Sequence, residues 1–126
     1  MFGLFGGGSK GEIRRLNKDA PDVIEYANQS FRTETVRDIA LLMAEHLDRV
    51  EEVYGGDPLG PKRAIVEYES LHKEARHQRD DVALTAFTLM LIYQRAEVQG
   101  EACQPARDAI KQFMADWAHT TDDAED

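Results

Sequence analysis

The chain has 126 residues, 42% of them apolar and 31% charged. That fits one soluble domain, long enough to bury roughly two-thirds of its unfolded surface. A net charge of -9 and a pI near 4.9 exclude phosphate-driven binding of DNA or RNA, and attraction to a generic anionic membrane surface, and they favour basic partners. Cys103 is the single cysteine, so neither a disulfide framework nor a thiolate metal cluster is available, and a reducing compartment suits the chain.

Residues 1–11, MFGLFGGGSKG, read as a short apolar patch followed by a flexible linker, because Gly6, Gly7 and Gly8 carry a high backbone-entropy cost in a helix. Phe2, Leu4 and Phe5 are candidates for a tethered docking peptide. Met1 to Phe5 is too short for a secretory apolar core, and a cytoplasmic protein is expected. Glu12 to Lys18 is charged and is expected to form a turn of helix. Asp19-Ala20-Pro21 reads as a helix start, with proline in the first turn where its missing N–H costs nothing. A break follows near Ser30 to Thr33, with Thr33 as N-cap.

Glu34 to Tyr54 has the clearest amphipathic pattern. Val36, Ile39, Ala40, Met43, Leu47, Val50 and Tyr54 recur at three- and four-residue spacing. Glu45 and Arg49 are spaced as an i,i+4 ion pair, and Glu45-His46 falls on the wet side. The run Gly55 to Pro61 contains three glycines and two prolines besides Asp57 and Leu59 and breaks the pattern, with Pro61 opening the next helix. From Lys62 to Arg79 the stripe Ile65, Tyr68, Leu71 and Ala75, with Val66 beside it, is narrow, as on a peripheral helix.

Val82 to Tyr93 reads VALTAFTLMLIY. Only Thr85 and Thr88 are polar, so no face can be left wet, and such a segment belongs at the centre of a fold. It falls short of the roughly 20 residues that span a bilayer. No second strand candidate exists to pair with it, so the backbone groups can be satisfied only as a helix. Asp80 or Asp81 caps that helix and Gly100 stops it. Gln104 to Thr120 forms the last helix, with Ala106, Ala109, Ile110, Phe113, Met114 and Trp117 on its inner face. The predicted fold is therefore all-α, an up-and-down bundle of four to five helices around a central hydrophobic helix at about 81–99. Its expected organisation is a flexible segment at 1–11, a single helical domain at 12–120 and an acidic tail at 121–126.

Two Glu-x-x-His pairs, Glu69/His72 and Glu74/His77, have the i,i+3 spacing used in di-iron bundles. Both sit on one helix, five residues apart, which turns the second about 140° from the first. They are expected to form a solvated face and not a metal site. Cys103, near a helix start, reads as a plain cysteine and not a reactive thiol. No spacing marks a nucleophilic triad, and Gly6 to Lys10 fails the phosphate-loop pattern. No catalytic, cofactor or metal residue is assigned. Charge is uneven: residues 1–18 carry Lys10, Arg14, Arg15 and Lys18 against Glu12, whereas residues 97–126 carry only Arg107 and Lys111 against eight acids. Lys73, Arg76 and Arg79 repeat every three residues and are candidates for docking an acidic group, including the tail of a second copy.

These features predict a non-enzymatic helical protein–protein interaction module: an adaptor, chaperone or regulatory subunit. In general type it resembles the small acidic helical export chaperones. Met43, Met90 and Met114 suit a core that repacks around a partner. Self-association is expected because an all-apolar central helix needs cover on every side. The partners are a protein or a second copy, with no nucleic acid and no membrane. The alternative is a metal-binding or apolar-ligand-binding bundle, an enzyme in one version, using Glu69, His72, Glu74 and His77 with Glu45 or His46.

Overall fold

A computed structural model describes the backbone of residues 4–125 and the side chains of residues 10–117. Five helices follow in order: α1 (Leu4–Ser30), α2 (Thr33–Tyr54), α3 (Gly60–His77), α4 (Asp81–Gln99) and α5 (Gln104–Glu125), with a 3-10 turn at Gly100–Cys103 joining the last two. No strand occurs among the described residues. Side-chain bonds fix the relative directions. Arg49 reaches Glu67, and Tyr68 reaches the His46 carbonyl, so α2 and α3 are antiparallel. The His72–Thr88 and Glu69–Arg95 contacts make α3 and α4 antiparallel. Asn17 bonds Ala102 in the 3-10 turn and Ala106 in the first turn of α5, and Ile24 and Asn28 lie beside Phe113 and Trp117, so α1 and α5 run parallel. The bundle alternates up and down. Yet α1 and α2 share little surface, and both lie chiefly against α4 and α5.

Helix α4 is the centre, touching all four other helices. From Thr85 to Ala96 only Thr88 and Arg95 escape full burial. The cover comes from one chain: Leu16 and Ala20 of α1, Ile39, Ala40 and Met43 of α2, Ala64, Tyr68 and Ala75 of α3, and Ile110, Phe113 and Met114 of α5 join α4 in one core. Each large apolar side chain buried there contributes about 1.5–3 kcal/mol. The cover that the apolar run requires is thus supplied by four neighbouring helices of the same chain. The start and stop signals act as the spacing implies. The Asp80 carboxylate accepts from the Ala83 N–H at 3.1 Å, and Gly100 ends the helix at φ 78°.

Several boundaries differ from expectation. Helix α1 is continuous from Leu4 through Pro21, so Asp19-Ala20-Pro21 is interior and not a start, and the helix takes in Gly6, Gly7 and Gly8. A proline inside a helix costs about 3 kcal/mol, but Leu16, Ala20 and Ala27 on both sides of Pro21 are buried and hold one continuous face. Extending a helix already anchored in this way is far easier than nucleating one. The side chains of Phe2, Leu4 and Phe5 lie outside the described residues, as do those of the 121–126 tail. At the start of α2 the N-cap position is Arg32, with no side-chain cap, and Thr33 is already helical. Arg49 pairs with Glu67 across the α2–α3 interface and not with Glu45. Val66 points outward, 68% exposed, while Ala64 takes the inner place.

The connections are built by specific side chains. The Asp57 carboxylate accepts from the Leu59 N–H at 2.9 Å and from Arg63 Nε at 3.1 Å, which folds the α2–α3 loop back on itself. Gly55 opens that loop because a Cβ there would overlap the Glu51 carbonyl oxygen. Between α4 and α5, Arg107 donates to Glu97 at 3.1 Å and to the Gly100 carbonyl at 2.9 Å. One guanidinium thus ties the end of one helix to the start of the next. Asn17 closes the same corner from α1, donating to the Ala102 carbonyl at 3.0 Å and accepting from the Ala106 N–H at 3.1 Å. It serves as an N-cap for α5 supplied from another helix.

Candidate functional site

The parallel register of α1 and α5 follows from the Asn17 anchor and decides what their far ends expose. Pro21, Ile24 and Asn28 of α1 face Ala109, Phe113 and Trp117 of α5 across a groove of about 420 Å³. A second hollow of about 500 Å³ continues it around Asn28 and Trp117, reaching Phe31 and Val36. The floor is apolar. The charged groups on the lining are acids, Glu25 and Asp116. Asp116 accepts a bond from Gln112 at 2.7 Å. Tyr26 stands beside the second hollow, 56% exposed, with its ring edge-on to Phe31 at 5.9 Å. A half-buried tryptophan over a groove with an acidic rim fits an apolar side chain flanked by Lys or Arg.

Of the three cations singled out by spacing, the structure brings two together. Lys73 and Arg76 line a hollow of about 440 Å³ on the outer face of α3, with Ser70, Glu74 and His77. Arg79 does not line it. Instead Arg79 has φ 57° and turns the chain between α3 and α4. The Asp80 N–H bonds the Ala75 carbonyl at 2.9 Å, and the Arg79 N–H bonds that of Arg76 at 3.2 Å, the Schellman pattern usually built on glycine.

The Glu-x-x-His residues disperse. Glu69 pairs with Arg95 at 2.9 Å, and Glu74 accepts from Gln78 at 2.8 Å. His72 Nε2 lies 3.1 Å from the Thr88 hydroxyl, which itself donates to the Leu84 carbonyl at 2.7 Å. The hydroxyl proton is thus committed, so His72 donates from Nε2. Burial, with Arg76 and Arg95 nearby, lowers the His72 pKa. His46 is not on the wet side: its ring meets Tyr68 and Phe87 edge-on at 5.8 and 5.1 Å, and burial followed by Arg49 lowers its pKa. Tyr68 is wholly buried and its hydroxyl pKa is raised, mainly by that burial. Among the described residues, no three His, Cys, Asp or Glu side chains converge as a metal's ligands would. Cys103 is buried against the Ile13 carbonyl, and burial raises its thiol pKa, away from the reactive thiolate.

No protein-family model, curated protein or solved structure matches the chain. Among the described residues no helix is long and apolar enough to cross a membrane. Sequence reasoning placed Trp117 on the inner face of α5 and did not single it out as a groove-lining residue. The available signal was its place at the far end of the apolar stripe, beyond the cover of α4.

Proposed function

We propose that this protein is a non-enzymatic helical interaction module of the cytoplasm, which receives an apolar, basic segment of a partner protein in the groove between α1 and α5. The groove around Trp117 carries this reading: an apolar floor, an aromatic anchor and a lining whose charged side chains are acidic. The overall charge of -9 reinforces the match by steering basic partners and repelling nucleic acid. The core itself is already complete, so binding adds to a finished fold.

A second reading rests on the α3 hollow. Lys73 and Arg76 stand exposed there, with no ion pair to a described residue, and suit the acidic 97–126 region of another copy. A homo-oligomer forms by that contact and not by cover of α4.

Photo-crosslinking separates the two. A crosslinker replacing Gln112, on the groove rim, is expected to capture a partner peptide that combines Lys or Arg with large apolar residues. Trp117→Ala should abolish that capture without changing helicity. A crosslinker replacing Ser70 is expected to return residues from the C-terminal region of a second copy. Capture at Gln112 that survives Trp117→Ala, or that yields only acidic segments, would contradict the groove assignment.

A further inference from the structure

At the opposite end of the bundle, the last turns of α2 and α4 and the glycine loop enclose a cleft of about 440 Å³. Three observations converge on it. First, every charged side chain on its lining is a carboxylate: Asp48, Glu51, Asp57 and Glu97. Arg63 and Arg107 already compensate Asp57 and Glu97, but Asp48 and Glu51 have no cationic partner among the described residues. Second, Gln94 lines the same cleft while only 3% exposed. Its amide has no hydrogen-bond partner among the described residues. The amide is not sealed from solvent, so it opens onto the cleft that it lines. Third, Tyr54 and Tyr93 line the walls, and aromatic faces attract organic cations.

The arrangement of the acids favours one kind of cation. Among the described residues no three of them stand close enough to hold a metal ion, so a metal ion does not draw on three of them at once. A cation with its charges spread along an alkyl chain can do so, with its methylenes against the tyrosines and Leu47 and its amines between the walls. We infer that this cleft binds a small aliphatic polyamine, with Glu51 and Asp48 pairing its ammonium groups and the Gln94 carbonyl accepting a hydrogen bond from one of them.

The test is calorimetric titration of the full chain with spermidine at near-physiological salt. Spermidine is expected to bind with one-site saturation, while hexane-1,6-diol, which keeps the chain but lacks the charge, is not. Glu51→Gln and Gln94→Leu should each weaken binding about tenfold, a loss of about 1.4 kcal/mol. Glu52→Gln, which removes the same charge from the next position of the helix but outside the cleft, should not. Circular dichroism confirms that each variant folds. Absence of saturation, or equal weakening by Glu51→Gln and Glu52→Gln, would overturn the assignment and leave only diffuse attraction to an acidic protein.

Discussion

His46 and His72 show how single side chains acquire their chemistry from what covers them. Both are half-buried and both have lowered pKa values, with burial the leading cause. In the unfolded chain each regains its ordinary pKa near 6.5. Below that value the unfolded state therefore binds more protons than the folded one, and stability falls as pH drops through 6.5 toward the folded pKa values. Stability measured by urea unfolding is expected to be lower at about pH 5.5 than at about pH 7.5, and the double variant His46→Gln, His72→Gln should flatten that dependence. An unchanged slope in the double variant would assign the effect to other groups. Neither environment was legible locally. His46 lies beside the main stripe of its helix, and only the arrival of Tyr68 and Phe87 from two other helices covers it. Gln94 drew no assignment from the sequence, where it sits inside the helix just past the apolar run, and only the cleft shows it to be buried.

At the scale of elements, the central helix was the most legible. Asp80, the apolar run and Gly100 are local signals with local causes, and α4 spans the residues they imply. The interior Pro21 was not legible, because a start signal and an interior proline look alike until Leu16, Ala20 and Ala27 find a common surface. Arg79 shows what spacing alone does not reveal. It repeats at three from Arg76, but the helix stops at His77, and Arg79 takes a left-handed conformation at φ 57°. That conformation costs a non-glycine residue about 1–2 kcal/mol. Arg79→Gly is expected to stabilise the protein by about 0.5–1 kcal/mol after the larger unfolded-state entropy of glycine is subtracted. Chemical denaturation midpoints check this, and a loss of stability would mean that the guanidinium makes a contact that matters.

For the whole molecule, the covered α4 removes burial of the central helix as a reason for association. A sequence with an all-apolar central segment argues for a partner on every side, yet the bundle supplies the cover itself from four helices. What remains open are surfaces at its two ends: the Trp117 groove where α1 and α5 finish, and the acidic cleft where α2 and α4 finish. Their acidity was legible as composition, but their concavity was not, because it depends on the parallel setting of α1 beside α5 and on the loop folded by Asp57. Trp117 is the only tryptophan in the chain, so its emission reports directly on the groove. Adding an amphipathic Lys/Leu helical peptide is expected to shift that emission to the blue in a saturable way. A Glu/Leu peptide of the same apolar pattern should leave it unchanged, and Glu25→Lys should weaken the Lys/Leu response. An emission spectrum indifferent to the Lys/Leu peptide, or equally responsive to both, would contradict the groove as the place where this protein meets its partner.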